Sequence, residues 1–88
     1  MGPLALDETL GLETIESLQA ALTKHLSSRS AIELDAAAVE TIDTAAIQLL
    51  AAFAGKVEDS GQTIRWLNTP EVVRTSARLL GLERQLGL

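Results

Sequence analysis

A chain of 88 residues carrying a formal net charge of -5 has room for one modest core, burying roughly 60 to 65% of its unfolded surface, and none for a second domain. Hydrophobic residues make up 47% of it, which excludes a polar disordered tail. The seven Lys and Arg are scattered singly, so there is no basic stripe to neutralise nucleic-acid phosphates or anionic lipid.

Cysteine is absent, which removes disulfides and thiolate chemistry and fits a reducing compartment, with the cytoplasm as the expected location. Phe53 and Trp66 are the only aromatics, so the core has to be aliphatic and rich in alanine. Met1-Gly2-Pro3-Leu4 lacks the basic start and apolar stretch of a signal peptide. No apolar run approaches the ~18 to 20 residues that cross a bilayer, so direct membrane insertion is not expected. Pro3 after Gly2, and Leu6 where Ser or Thr is needed, argue against myristoylation.

Leu4, Ala5 and Leu6 form an apolar stretch before the Asp7-Glu8-Thr9 break, long enough for a minimal strand and too short for a helix. From Leu12 the positions Leu12, Ile15, Leu18, Leu22 and Leu26 recur at spacings of three and four, the stripe of an amphipathic helix, with Ser27-Ser28 as its expected stop. Ala31 to Asp35 alternates, with Ile32 and Leu34 on one face and Glu33 on the other, and predicts a strand. A loop from Ala36 to Glu40 leads to Thr41-Ile42-Asp43-Thr44, after which Ile47, Leu50, Ala54 and Val57 draw a second helical stripe that ends near Gly61.

Thr63 to Leu67 is a third expected strand, with Ile64 and Trp66 on one face. Thr69 is then suited to cap a helix, Pro70 to take its first position and Glu71 to meet the positive end of its dipole. This last helix should turn Val73, Ala77 and Leu80 inward and stop at Gly81, leaving Leu82 to Leu88 as a short turn that closes the core. Strand and helix alternate three times, which predicts an α/β fold, a largely parallel sheet of three to four strands with helices packed on it. The fourth strand would come from Thr9-Leu10 or from a partner.

The catalytic inventory is thin. His25 is the only imidazole and lies off the main stripe of its helix, so it reads as a solvated helix residue. With one His and no Cys, no zinc site of ordinary spacing can be assembled, and no local motif suggests a Ser-His-Asp relay; neither a Walker loop nor a dinucleotide fingerprint occurs, so no cofactor is expected. Asp35, Glu40 and Asp43 cluster where open α/β sheets place ligands; turn and capping roles explain them better than a cation site. Arg74 and Arg78, four residues apart, and Arg84 read as the solvated face of the last helical region. Asp43-Thr44 stands where the chain enters a helix. If Asp43 caps that helix, Thr44 takes its first position with an outward hydroxyl, where a phosphate would add about -1.5 to -2 charge at an end that tolerates anions.

Three segments carry a family resemblance: Ala31-Ile32-Glu33-Leu34-Asp35, the run Val39-Glu40-Thr41-Ile42-Asp43-Thr44-Ala45-Ala46-Ile47-Gln48-Leu49-Leu50, and Gly61-Gln62-Thr63-Ile64. With the Leu79-Leu80-Gly81-Leu82 ending, they resemble the strand, helix and following strand of STAS domains, the family of anti-sigma-factor antagonists. The resemblance implies a non-enzymatic protein-binding regulatory module, phosphorylated at Thr44, whose partner is a kinase or anti-sigma factor. Val39, Glu40, Asp43, Thr44, Ala45 and Gln48 are the partner-binding residues it implies. Many antagonists have a second Ser or Thr and then Gly where this chain has Ala45-Ala46. Asp-Thr followed by small residues is closer to the STAS subunit of Mla-type phospholipid ABC transporters. A constitutive subunit beside an ABC ATPase, or a chemotaxis-associated STAS protein, is therefore the alternative.

Overall fold

The structure is a computed structural model, and it describes residues 2–26 and 31–88. Among the described residues five strands and four helices follow in the order β1 (Leu4–Ala5), β2 (Thr9–Leu10), α1 (Ile15–Leu26), β3 (Ile32–Asp35), β4 (Thr41–Ile42), α2 (Thr44–Asp59), β5 (Ile64–Leu67), α3 (Glu71–Leu79) and α4 (Glu83–Leu86). A 3-10 turn over Leu12–Thr14 leads into α1. The stop expected at Ser27-Ser28 lies outside the described residues.

β3 is central in a parallel sheet of order β1-β3-β5. Leu4 stands opposite Leu34 on one side, and Ile32 and Leu34 stand opposite Ile64 and Trp66 on the other. The alternation that predicts β3 also sets its faces, since Ile32 and Leu34 are buried while Glu33 and Asp35 are not. Helices joining successive parallel strands cover the apolar face, as the strand-helix alternation predicts.

Thr9–Leu10 is a strand, but it does not join this sheet. It pairs in parallel with Thr41–Ile42, a segment read from sequence only as part of the approach to a helix. Both pairings join the same two stretches of chain. Leu4 stands opposite Leu34 and Thr9 opposite Thr41, so the second stretch has gained two residues, taken up in a turn closed by the Val39 amide on the Ala36 carbonyl at 3.1 Å. Beyond that turn the carbonyl of Glu8 accepts from the amides of Glu40, 2.8 Å, and Thr41, 3.0 Å.

The core is aliphatic, as the composition requires, and lies between the sheet and the helices. α2 supplies the largest share: Ile47, Leu50, Ala54 and Val57 are all buried, and Ala46, Ala51 and Phe53 join them. α1 contributes Leu18 and Leu22, but Leu12, the expected first residue of its stripe, is 72% exposed because it sits in the preceding 3-10 turn.

α2 and α3 end in the same way. Gly61 and Gly81 take positive φ of 77° and 69°, the left-handed conformation that glycine enters without a Cβ penalty. The amides that follow reach back to the last turns, Gln62 to Val57 at 3.0 Å and Leu82 to Ala77 at 2.8 Å. The second of these turns overturns one expectation. The helix stops before Leu80 completes another inward position, and the chain doubles back so that Leu86 of α4 fills the interior at 1% exposure. Leu80 is left 41% exposed and Leu79 80% exposed. The start of α3 also differs by one residue: Pro70, extended at φ -76° and ψ 162°, is the residue before the helix, and Glu71 is the first within it.

Candidate functional site

The Asp43-Thr44 step is built by three pieces of chain. β4 delivers Asp43 in an extended conformation, φ -102° and ψ 176°, and Oδ1 of its carboxylate accepts the Ala46 amide at 3.0 Å. That bond satisfies one of the free donors in the first turn of α2. The second oxygen reaches elsewhere: Oδ2 accepts the amide of Leu12 at 3.0 Å. One side chain thus caps α2 and fastens the 3-10 turn to it.

The turn itself is braced by Thr14, whose hydroxyl accepts from the Gly11 amide at 3.1 Å. Gly11 has to be small, since a Cβ there would lie 2.8 Å from Oδ2 of Asp43. The amides of Ala46, Leu12 and Ala45 hold the Asp43 carboxyl below the usual aspartate range, because hydrogen bonds donated to the ionised form favour it. Slight desolvation acts in the opposite direction and is outweighed.

Thr44 is the first residue of α2, exposed, and its hydroxyl makes no hydrogen bond among the described residues. Of the other residues expected to meet a partner, Glu40 and Gln48 are exposed and Ala45 is half-buried. Val39 is different. It is only 4% exposed and belongs to the core, because the Ala36–Val39 turn folds its side chain inward, so it cannot present that side chain to a partner.

Sequence reasoning missed the apolar component of this surface. Asp43 lines two adjoining hollows. In one it meets Gly11, Leu12 and Glu13; in the other Asp43, Thr44 and Ile47 face Ser76, Leu79 and Leu80 of the α3 end. Leu12, Leu79 and Leu80 are the exposed large hydrophobic residues among those described, and all three border this one step. The stop at Gly81 was readable in the sequence, but not that it leaves Leu79 and Leu80 without an interior position.

The remaining candidates are accounted for by the fold. Asp35 Oδ1 accepts from the Ala37 amide at 3.0 Å and from Asn68 Nδ2 at 3.3 Å, a turn-closing role. Among the described residues no three His, Asp or Glu stand together in a way that could hold a metal ion. His25, expected to be solvated, is half-buried, with Nδ1 3.2 Å from the Ala21 carbonyl and Nε2 3.3 Å from that of Gly2. Arg78 lies 3.8 Å from Glu71 and 3.9 Å from Glu83 in exposed ion pairs, which contribute little. No described helix is long and apolar enough to cross a membrane.

No curated protein matches the chain. A family model described as "Mlab, STAS domain" matches residues 2–88. That match spans the sheet, all four helices and the capped start of α2, and the chain belongs to this STAS family, whose members are protein-interaction modules.

Proposed function

We propose that this chain is a non-enzymatic cytoplasmic module that docks a partner protein through the face around the start of α2. One observation carries the reading: Leu12, Leu79 and Leu80 stand exposed on either side of Asp43-Thr44. Large apolar side chains gathered at one place, with polar groups around them, mark a contact surface when they are not buried at home. Asp43 and the two helix ends hold them in fixed positions, so little ordering has to accompany binding.

In the first reading, which follows the resemblance to the STAS subunit of Mla-type transporters, the chain is a constitutive subunit with an ABC-type ATPase as its partner. The test is co-purification from the native host with wild-type chain and with Leu12→Ser and Leu79→Ser variants. An ATPase subunit recovered with the wild type and lost with both variants supports the reading. Recovery that is equal for all three overturns the docking face.

A second reading, a phosphorylation switch in the manner of an anti-sigma-factor antagonist, is favoured by the exposed and unbonded hydroxyl of Thr44. A phosphate there would leave the cap on Asp43 intact while setting a hydrated dianion in the middle of the docking face. Intact-mass measurement of the protein from its host distinguishes the two readings, since only the switch requires a phosphorylated species.

A further inference from the structure

The docking face has a charge as well as an apolar centre. All seven Lys and Arg occupy positions 24, 29, 56, 65, 74, 78 and 84, so residues 2–23 and 31–55 contain none. Those two stretches supply β2, the 3-10 turn, β4 and the start of α2, and they contain eight of the twelve acidic residues, while α3 adds Ser76, Leu79 and Leu80. Glu13 shares a hollow with Leu12 and Asp43. Glu8 and Glu40 are brought side by side, because the Glu8 carbonyl accepts the Glu40 amide at 2.8 Å; both are exposed.

The bases of α3 do not offset these acids. Residues three and four apart share a helix face, and Ser76, Leu79 and Leu80 share the one turned to Thr44. Arg74 and Arg78 fall on the opposite side, where Arg78 already lies near Glu71 and Glu83. The only charged groups that line the two hollows beside the leucines are therefore the carboxylates of Glu13 and Asp43, among threonine and serine, with no Lys or Arg among the described residues there.

Resting on the docking reading above, we infer that the occupant of this face is a basic protein surface: an amphipathic helix whose apolar side sits on Leu12, Leu79 and Leu80 and whose flanking Arg or Lys meet Glu8, Glu13, Glu40 and Asp43. A second copy of the chain is a poor occupant, since it would bring the same carboxylates against these. An anionic membrane is repelled for the same reason. A cationic helix matches both the leucines and their rim, and its charges would steer its approach.

The test uses the full chain and two synthetic helices of about 18 residues with the same leucine face, one flanked by Arg and the other by Glu. Affinity is measured by fluorescence anisotropy at low and moderate salt, with the contact mapped by amide NMR shifts. The Arg helix should bind about tenfold more tightly than the Glu helix, from several exposed charge pairs acting together, and the preference should shrink as salt is raised. Combined Glu13→Lys and Glu40→Lys, both at exposed positions, should reverse it. Leu79→Ser should weaken both helices.

Equal affinity for the two helices, a preference that survives the charge reversal, or no binding at millimolar concentration overturns the inference. So does a dimer of the chain that Leu79→Ser abolishes. If Leu79→Ser weakens both helices and they bind equally, only the basic character of the partner falls. If Leu12→Ser and Leu79→Ser leave both affinities unchanged, the docking reading falls with it.

Discussion

Oδ2 of Asp43 accepts the backbone N–H of Leu12 at 3.0 Å across 31 residues of sequence, while Oδ1 accepts that of Ala46. The two bonds make stability and surface depend on one carboxylate. Asp43→Ala should lower the melting temperature by several degrees and release the turn that presents Leu12. Asp43→Asn should fall in between: its carbonyl oxygen can still cap α2, but its amide nitrogen cannot accept from Leu12. An Asn variant as stable as the wild type would deny the second bond any weight. Because the folded carboxyl titrates below its usual value, its contribution is complete above the unfolded pKa of about 3.9. It is lost as pH falls from there through the lower folded value. The gap in melting temperature between wild type and Asp43→Ala should therefore be flat from neutral pH to about 5 and close below about 4.

Gly11→Ala tests the same contact from the other side. The backbone of Gly11 is extended, at φ -161°, and any residue can adopt it. The added methyl instead meets Oδ2 of Asp43 at 2.8 Å, and that oxygen cannot retreat without abandoning the Leu12 amide. The substitution should destabilise the wild type and have much less effect in an Asp43→Ala background, the non-additivity expected of residues in direct contact. A double-mutant cycle in urea measures it, and additive costs would separate the two residues.

The closing of the core by α4 has its own reporter. Trp66 is the single tryptophan, and its Nε1 donates to the Leu86 carbonyl at 2.8 Å; Gln85 Nε2 donates to the Ala51 carbonyl at 3.0 Å beside it. Leu86→Ala empties a fully enclosed position and should cost about 2–4 kcal/mol. It should also shift Trp66 emission to the red as α4 loosens. Trp66→Phe loses the hydrogen bond, about 0.5–1.5 kcal/mol. An unshifted emission maximum in the Leu86→Ala variant would mean that α4 keeps its place without that side chain.

What was legible in the sequence follows from period and punctuation. The α2 stripe, the alternation of Ile32 and Leu34 and the glycine stops at Gly61 and Gly81 are local signals, and the structure has each of them. The parallel pairing of Thr9–Leu10 with Thr41–Ile42 left no such signal, because two residues have no period and their partners lie 32 positions away. At the site, the cap on α2 was readable from Asp43, yet the bond to Leu12 and the demand on Gly11 arise only once distant segments meet. The exposed leucines were misread for a related reason. Spacing says which side chains share a face, not whether the first or last of them is covered, so it points Leu12 and Leu80 inward although the turns at either end leave them exposed.

The decisive variant for regulation is Thr44→Glu. Thr44 is the first residue of α2 and exposed, so a carboxylate there would sit at the positive end of the helix dipole and leave the Asp43 cap in place. Stability should change by no more than about 0.5 kcal/mol, the range of surface substitutions away from packed features. Binding is another matter, because Thr44 lies in the hollow with Leu79 and Leu80, and a new charge would have to be desolvated against whatever apolar group rests there. Partner affinity measured by titration calorimetry should fall at least tenfold for Thr44→Glu and little for Thr44→Ser, which keeps the hydroxyl. A partner that binds the Glu variant as tightly as the wild type would place Thr44 outside the contact and leave phosphorylation there with nothing to switch.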